Sequence, residues 1–434
     1  MYGKLLKMVR RRRWRTVSLL ILFLGAAAGL YAYALHQWQA AQSALQRGQV
    51  SEAHDRLKLC LLIWPRSPAV QLLAARAARM SGEFAQAEAH LNRCLKLSHQ
   101  ETAAIELEFL LLRVQGGEVD EVAPLLWQCV EDHNPETPLI LETLAQAYLY
   151  NLRYGPALYY LNRCIQEAPE RARPYYWRGW VLEHLNDRTS AGEDYRRAVE
   201  LDPDFVTARL HLAEFCLQMA NAEEAAPHLE HLNRQFPDRP DVLARLGHCR
   251  FLQGRNEEAR RLLEAAVEKL PDDPYVLIQL GRLEIQQGQP SKAEHYLRRA
   301  LTIDPTDAEV QYLLADSLRK QDRFEEAEAV LEQHRQNEAR LKRFTQLLRE
   351  ATERPLTDPD ALCEIGRLFL DGKQERLGLY WLQQALEHDP AHPPTLQALA
   401  DYYEKIGQAA KAAVYRGKLK PAGHAVSAAS VKRR

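Results

Sequence analysis

The sequence lacks the short motifs of the common cofactor and catalytic sites. It contains no C-x-x-C pair and none of the patterns G-x-G-x-x-G, G-x-x-x-x-G-K-[ST], H-E-x-x-H or G-x-S-x-G. These absences argue against zinc ribbons, thioredoxin-like chemistry, haem attachment, nucleotide sites, zinc proteases and serine hydrolases. Two small histidine groups, His228 with His231 and His388 with Asp389 and His392, have too few ligands for a metal site. We therefore expect no catalytic residue, no cofactor and no metal.

Acidic residues are missing from both ends of the chain. Residues 1–15 hold seven basic side chains and no acid, and residues 405–434 hold eight basic side chains and no acid. The remaining residues, 16–404, carry 42 basic and 58 acidic side chains, a net charge of −16. Such a segment does not offer the basic surface that phosphate contacts need. We therefore expect no nucleic-acid partner.

Charge is also absent from Thr16–Leu35, a mainly apolar run of twenty residues. As a helix it would be about 30 Å long, which matches the apolar core of a bilayer. The basic residues before it predict a cytoplasmic N-terminus. We expect a basic cytoplasmic segment at 1–15, a single transmembrane helix at 16–35, and an extracytoplasmic body in a bacterial periplasm. A cleaved secretory signal is the main alternative, and a mitochondrial presequence is a weaker one.

A period of 34 residues runs through the middle of the chain. Six consecutive rows, starting at residues 138, 172, 206, 240, 274 and 308, align without an insertion. Position 8 is always Ala or Gly, position 20 is always Ala and position 24 is always large, which predicts two helices in close contact. Position 32 of the first five rows is a proline, which ends the second helix because it lacks an amide donor. Position 20 holds Ala157, Ala191, Ala225, Ala259, Ala293 and Ala327, and position 32 holds Pro169, Pro203, Pro237, Pro271 and Pro305.

This pattern resembles the tetratricopeptide repeat, which has large residues at positions 4 and 24, Leu at 7, small residues at 8, 20 and 27, and Pro at 32. The row at 240–273 has Leu243, Leu246, Gly247, Ala259, Leu263, Ala266 and Pro271 in these roles. The resemblance implies an all-α fold, a right-handed superhelical α-solenoid in which each helix pair buries its apolar face on the next. We expect about nine repeats over 36–341 and two further repeats over 359–420.

The repeat frame breaks at residues 342–358. No Gly or Pro lies between Arg323 and Pro355, and Leu341, Phe344 and Leu348 continue an apolar stripe at helical spacing. We expect one overlong helix, which is either an extension of the preceding repeat or a hinge before the last two repeats. Residues 421–434 are small, polar and basic, and we predict a disordered tail there.

Four of the seven cysteines recur at the repeat spacing, at or beside position 27. They are Cys60, Cys94, Cys129 and Cys164. This position holds a small residue packed inside each repeat, where a free thiol behaves as a small apolar group. Equivalent atoms of successive repeats should lie ~8 to 10 Å apart or more, too far for a disulfide. The cysteines therefore predict packing, although so many free thiols are unusual outside the cytoplasm.

The resemblance also implies a concave groove, lined by positions 2, 5, 6, 9, 12 and 13 of the first helix of each repeat. The groove residues expected here are Tyr150, Tyr176, Trp177, Trp180, His184, His211, Arg245, His248, Arg282 and Tyr312. Aromatic residues beside cationic ones are typical of a protein-binding hot spot. The alternative is that Trp177 and Trp180 pack against neighbouring helices. Tyr175, at position 4, is predicted to lie in the core.

The resemblance and the apolar run predict a membrane-anchored scaffold that binds partner proteins or peptides in the groove. Because the repeats occupy nearly the whole sequence, we expect no enzyme activity. Three alternatives stay open. The first is that the chain is a regulatory or assembly subunit of a separately encoded enzyme. The second is a secreted repeat protein after signal-peptide cleavage, and the third is an unrecognised hydrolase.

Overall fold

The computed structural model describes residues 25–26, 28–45, 48–98, 100, 102–353 and 356–419. The predicted segments at 1–15 and 421–434 lie outside the described residues, as do residues 16–24 and 27 of the predicted membrane helix. Every regular element in the described part is an α-helix, in agreement with the predicted all-α fold. No helix in these ranges is both long and apolar enough to cross a membrane.

The chain divides into two compact units between Ala147 and Tyr148. The first unit contains α1 (28–45), α2 (Val50–Ile63), α3 (Pro68–Met80), α4 (Phe84–Ser98), α5 (Ala103–Gln115), α6 (Val119–Glu131) and most of α7 (Thr137–Tyr150). In the second unit the helices are α8 (Tyr154–Glu167), α9 (Ala172–His184), α10 (Arg188–Leu201), α11 (Val206–Gln218), α12 (Ala222–Gln235), α13 (Pro240–Leu252), α14 (Asn256–Lys269) and α15 (Pro274–Gln286). They continue with α16 (Pro290–Ile303), α17 (Ala308–Arg319), α18 (Phe324–Glu353), α19 (Pro359–Asp371), α20 (Glu375–His388), α21 (Pro393–Lys405) and α22 (Ala409–Leu419).

Small residues at position 8 allow the two helices of a repeat to touch. A Cβ atom added to Gly247 on α13 would lie 2.8 Å from Leu263 on α14. One added to Gly281 on α15 would lie 2.8 Å from Leu297 on α16. Both distances are well below van der Waals contact, so the fully buried Leu263 and Leu297 leave no room for a side chain on the glycine opposite them. The close contact that the period predicts is therefore confirmed.

A left-handed residue at position 15 follows the first helix in each of the six aligned rows. The φ angle is 54° at Leu152, 61° at Asn186, 55° at Ala220, 74° at Gly254, 69° at Gly288 and 61° at Asp322. A residue with a Cβ adopts this conformation at a cost of roughly 1 to 2 kcal/mol, which glycine avoids. The packing of the helix pair thus imposes the turn even where the residue is unfavourable.

A buried ion-pair network joins α3 to α5 in the first unit. Arg79 Nε donates to Glu108 at 2.9 Å, and both side chains are 1% exposed. Arg76 Nε donates to the other oxygen of the same carboxylate at 2.6 Å. Burial alone would raise the pKa of Glu108, but the charges of Arg79 and Arg76 outweigh it and hold the pKa below its ordinary value. The carboxylate is therefore the ionised partner of two arginines.

Helix α18 is 30 residues long and includes residues 342–353 of the segment where the repeat frame breaks. Leu347 on its C-terminal half is fully buried and packs with Ile365 of α19 and Trp381 of α20. The same helix also contacts α8, at the start of the second unit. Its C-terminal half therefore joins α8, at the beginning of the second unit, to α19 and α20.

Candidate protein-binding site

Helix α9 carries four of the predicted groove residues, and they differ in exposure. Trp177 and Trp180 are half-buried and pack partly on the core of the second unit, whereas His184 is exposed. Tyr176 is 5% exposed, so it is a core residue and not the groove residue that its repeat position predicts. Its ring lies against His211 of the next repeat, with ring centres 5.3 Å apart. Position 5 of α9 thus serves the contact between repeats.

Tyr175 and Tyr176 both pack in the core of the second unit, and Tyr176 is the more deeply buried of the two. Tyr175 is half-buried at the edge of the core, and the Arg178 guanidinium lies 5.6 Å from its ring centre. Burial raises the pKa of Tyr176 to about 12, with a further contribution from the nearby carboxylates. Position 4 of the repeat predicts that Tyr175 is the buried residue. The packing of α9 on α11 instead buries its neighbour Tyr176 more deeply.

Tyr154, Trp177, Trp180 and His184 form a group that we term the aromatic patch. The ring centres of Trp177 and Trp180 are 6.3 Å apart and their planes make an angle of 76°. The ring centre of Trp180 lies 3.8 Å from that of His184 and 6.0 Å from that of Tyr154, and Tyr154 is buried. His184 Nδ1 donates to the carbonyl oxygen of Trp180 at 2.8 Å, which fixes the imidazole orientation. These contacts hold a partly exposed aromatic surface in one arrangement.

The first helices that follow α9 use groove positions to bind one another. Arg245 on α13 donates to Glu214 on α11 at 2.7 Å, and Arg282 on α15 forms an ion pair with Glu309 on α17. Arg245 and Glu214 are only 17% and 25% exposed, so the pair is largely shielded from water. Two of the predicted groove cations are therefore engaged in contacts between repeats.

His248 occupies a groove position but is buried between α13 and α15. It is 6% exposed, and its Nδ1 lies 2.8 Å from the hydroxyl oxygen of Tyr275. Burial, together with the charges of Arg282 and Arg245, lowers the pKa of His248 to about 3. This histidine is therefore neutral at physiological pH and belongs to the packing between repeats. We term Glu214, Arg245, His248, Tyr275, Arg282 and Glu309 the ion-paired stretch.

The remaining predicted groove residues lie outside both groups. His211 is half-buried against Tyr176, and burial lowers its pKa. Tyr312 on α17 is 56% exposed, and its ring centre lies 5.9 Å from that of His334. Tyr312 thus stays accessible, whereas His211 extends the core contact of α9.

Tyr150, the last residue of α7, lies at a contact with α20 within the second unit, which we term the seam. The guanidinium of Arg376 on α20 stacks 3.6 Å from the Tyr150 ring centre and donates to the Tyr150 carbonyl at 2.5 Å and to Asn151 Oδ1 at 2.7 Å. Arg349 on α18 donates to the carbonyl of Leu185 at 2.5 Å, one residue beyond His184. The partners are 164 to 226 residues apart. Such long-range contacts leave no periodic signal in the sequence, which is why sequence reasoning missed them.

No group of three or more His, Cys, Asp or Glu side chains in the described ranges is arranged to hold a metal ion. His392 Nδ1 lies 2.7 Å from Thr395 Oγ1, and its Nε2 lies 3.1 Å from Asp360. His228 Nδ1 lies 3.2 Å from an Arg209 guanidinium nitrogen. These histidines are engaged in local contacts between helices.

Two of the four recurring cysteines, Cys60 and Cys94, make the same contact in successive repeats. All seven cysteines of the chain are free thiols. The Cys60 thiol donates to the carbonyl of Ala34 at 3.6 Å, and the Cys94 thiol donates to the carbonyl of Pro68 at 3.2 Å. In both cases the acceptor is 26 residues earlier, so the thiol joins two helices of a repeat. This packing role is the one that the spacing predicts.

Family models described as tetratricopeptide repeat match residues 68–93, 172–205, 217–280 and 284–351. In these segments the chain is similar to the tetratricopeptide repeat. No curated protein matches it. Similar solved structures include MamA of Desulfovibrio magneticus RS-1, at 18% identity and a TM-score of 0.35 over 40% of this chain and 97% of that chain. PilW, a type IV pilus biogenesis factor, is similar at 18% identity and a TM-score of 0.39 over 44% of this chain and 90% of that chain. Human IFIT1 in complex with m7Gppp-AAAA is similar over 81% of this chain and 89% of that chain, at 16% identity and a TM-score of 0.40.

Proposed function

We propose that this chain, which contains tetratricopeptide repeats, is a membrane-anchored scaffold that recruits partner proteins through the aromatic patch. The observation that carries the proposal is the partial exposure of Trp177 and Trp180 beside the exposed His184. Tryptophan contributes more to interfaces than most residue types, and a surface already held in place loses little conformational entropy on binding. The charged positions further along the groove support the same site, because their side chains are paired with one another and are less available to a partner.

The proposed anchor is the run Thr16–Leu35, with the N-terminus in the cytoplasm and the repeats on the other side, in a bacterial periplasm. Its support is the sequence: twenty residues without a charge, preceded by seven basic side chains. The partner is proposed to be protein and not nucleic acid, because residues 16–404 carry a net charge of −16. No catalytic role for the chain is included in the proposal.

Recovery of partner proteins by the full chain tests the recruiting surface. The tagged chain is crosslinked in cells and purified alongside a Trp177→Ala, Trp180→Ala double variant. Phe324→Ala is the matched control, because Phe324 is an aromatic residue that is 62% exposed and lies outside the groove positions. We expect the double variant to lose the partners that the wild type and the control retain. Equal recovery by all three chains would remove the aromatic patch from the proposal.

Two further measurements test the remaining parts of the proposal. Protease added on the extracytoplasmic side should digest the repeats, and digestion only from the cytosolic side would reverse the proposed topology. If a recovered partner is an enzyme whose rate changes when this chain binds, the chain acts as a regulatory subunit and not only as a scaffold.

A further inference from the structure

The aromatic patch offers hydrogen-bond donors at its surface. Neither Trp177 Nε1 nor Trp180 Nε1 has a hydrogen-bond acceptor among the residues that the structure describes, and neither atom is fully buried. Trp127 shows the other arrangement, since its Nε1 donates to Glu131 at 2.9 Å. Two indole N–H groups, three residues apart on one helix, are therefore open to an incoming acceptor.

The same surface has little uncompensated charge to offer. Arg178 on α9 forms a two-bond ion pair with Asp194, at 2.7 Å for each bond. Glu183 accepts a hydrogen bond from the Tyr195 hydroxyl at 2.7 Å. On the neighbouring first helix, Glu214 is paired with Arg245. A strongly acidic segment would therefore find no free cation among these residues, because Arg178 and Arg245 are both paired, whereas an uncharged segment needs no counter-charge.

The donors select among the conformations that an uncharged segment can bring. An α-helix has its carbonyl groups bonded internally, so it would leave both indole N–H groups unpaired. A β-strand carries backbone N–H donors as well as carbonyl acceptors, so it also needs acceptors, which the two indole groups do not supply. A proline-rich segment in the polyproline II conformation presents unbonded carbonyls, and its proline residues have no N–H to satisfy. It also loses little conformational entropy on binding.

The spacing of the rings agrees with this conformation. Polyproline II rises about 3.1 Å per residue, so alternate residues are ~6.2 Å apart along the segment. The centre of the Trp180 ring lies 6.3 Å from that of Trp177, and both rings are partly exposed. We propose that the aromatic patch binds a proline-rich segment of a partner protein in the polyproline II conformation, with Trp177 and Trp180 donating to its carbonyls. This inference rests on the proposed recruiting function of α9 and adds the class of partner.

A titration with synthetic peptides tests the inference on the full chain in detergent. The probe is a fluorescein-labelled peptide of ten prolines, and the controls are a ten-residue Gly-Ser peptide and a fifteen-residue helical Ala-Glu-Lys peptide. Fluorescence anisotropy should show saturable binding of the proline peptide and at least tenfold weaker binding of both controls. Stronger binding of the helical peptide would overturn the proposal.

The conservative double variant Trp177→Phe, Trp180→Phe tests the contribution of the two N–H donors separately from that of the aromatic rings. It keeps two aromatic rings but removes both N–H groups, so binding of the proline peptide should weaken about tenfold, the usual scale for one or two hydrogen bonds. A thermal melt followed by circular dichroism checks that the variant is folded, and Phe324→Ala should bind as the wild type does. Unchanged affinity of the folded Phe variant would show that the donors are not used and would reject the proposal.

The outcomes separate this inference from the function on which it rests. If partner recovery depends on Trp177 and Trp180 but no proline peptide binds, the inference fails and the recruiting function stands. If partner recovery does not depend on these residues, the recruiting function fails as well.

Discussion

The aromatic patch and the ion-paired stretch use the same repeat positions in different ways. Position 9 is Trp180 on α9, Glu214 on α11 and Arg282 on α15. Trp180 contacts the ring of His184 on its own helix, whereas Glu214 and Arg282 bind side chains of the next first helix. A groove position is therefore left for a partner only where the next repeat offers no complementary polar group. Where it does, the position contributes to cohesion between repeats.

The largest effect that we expect is on the pH dependence of the free energy of unfolding, and it comes from His248 in the ion-paired stretch. Its pKa is about 3 in the folded chain, against an ordinary value of 6.5, so the unfolded chain takes up a proton first as pH falls. The contribution to stability is complete above pH 6.5 and is lost progressively between pH 6.5 and 3. Between pH 6.5 and 4.5 the wild type should lose about 2 to 3 kcal/mol more than His248→Gln. Urea unfolding of both chains at the two pH values measures this, and an equal loss in both would contradict it.

Glu214→Ala should have the next largest effect, because it leaves the largely buried Arg245 without a counter-charge. We expect the free energy of unfolding to fall by about 2 kcal/mol, less than for a fully buried pair. The double variant Glu214→Met, Arg245→Met should recover most of this loss, since no unpaired charge remains. If Glu214→Ala were neutral and proline-peptide binding fell instead, the ion-paired stretch would be part of the partner site and the comparison would fail.

The sequence predicts the helices, their pairing and the groove face, because these depend on positions that recur every 34 residues. It does not predict which groove residues are free. Tyr176 and His248 occupy groove positions yet are buried, since each meets a side chain of the next repeat. The seam cannot be predicted from a repeating sequence pattern. Arg376 and Tyr150 are 226 residues apart, and their contact depends on the combined geometry of all the repeats between them.

Arg376→Ala tests whether Tyr150 belongs with the patch or with the cohesive contacts. The change removes a stacked guanidinium and its two hydrogen bonds, so the free energy of unfolding should fall by about 1 kcal/mol. Amide exchange should accelerate at residues 150–153, and Arg376→Lys should recover little because it lacks the planar fork. Partner recovery should be unchanged or greater, since the Tyr150 ring becomes more exposed. Weaker recovery would place Arg376 itself in the partner site.

The smallest effect expected is a gain in stability that leaves both regions untouched. Ala220 follows α11 with a φ of 55°, is exposed, and makes the turn that Gly254 makes in the next repeat with a φ of 74°. Ala220→Gly should raise the free energy of unfolding by roughly 0.5 to 1 kcal/mol, because glycine accepts this conformation without steric cost. Gly254→Ala is the reverse control and should lower it by a similar amount. Affinity for the proline peptide should not change in either variant, because stability at this turn and binding at the aromatic patch depend on separate contacts.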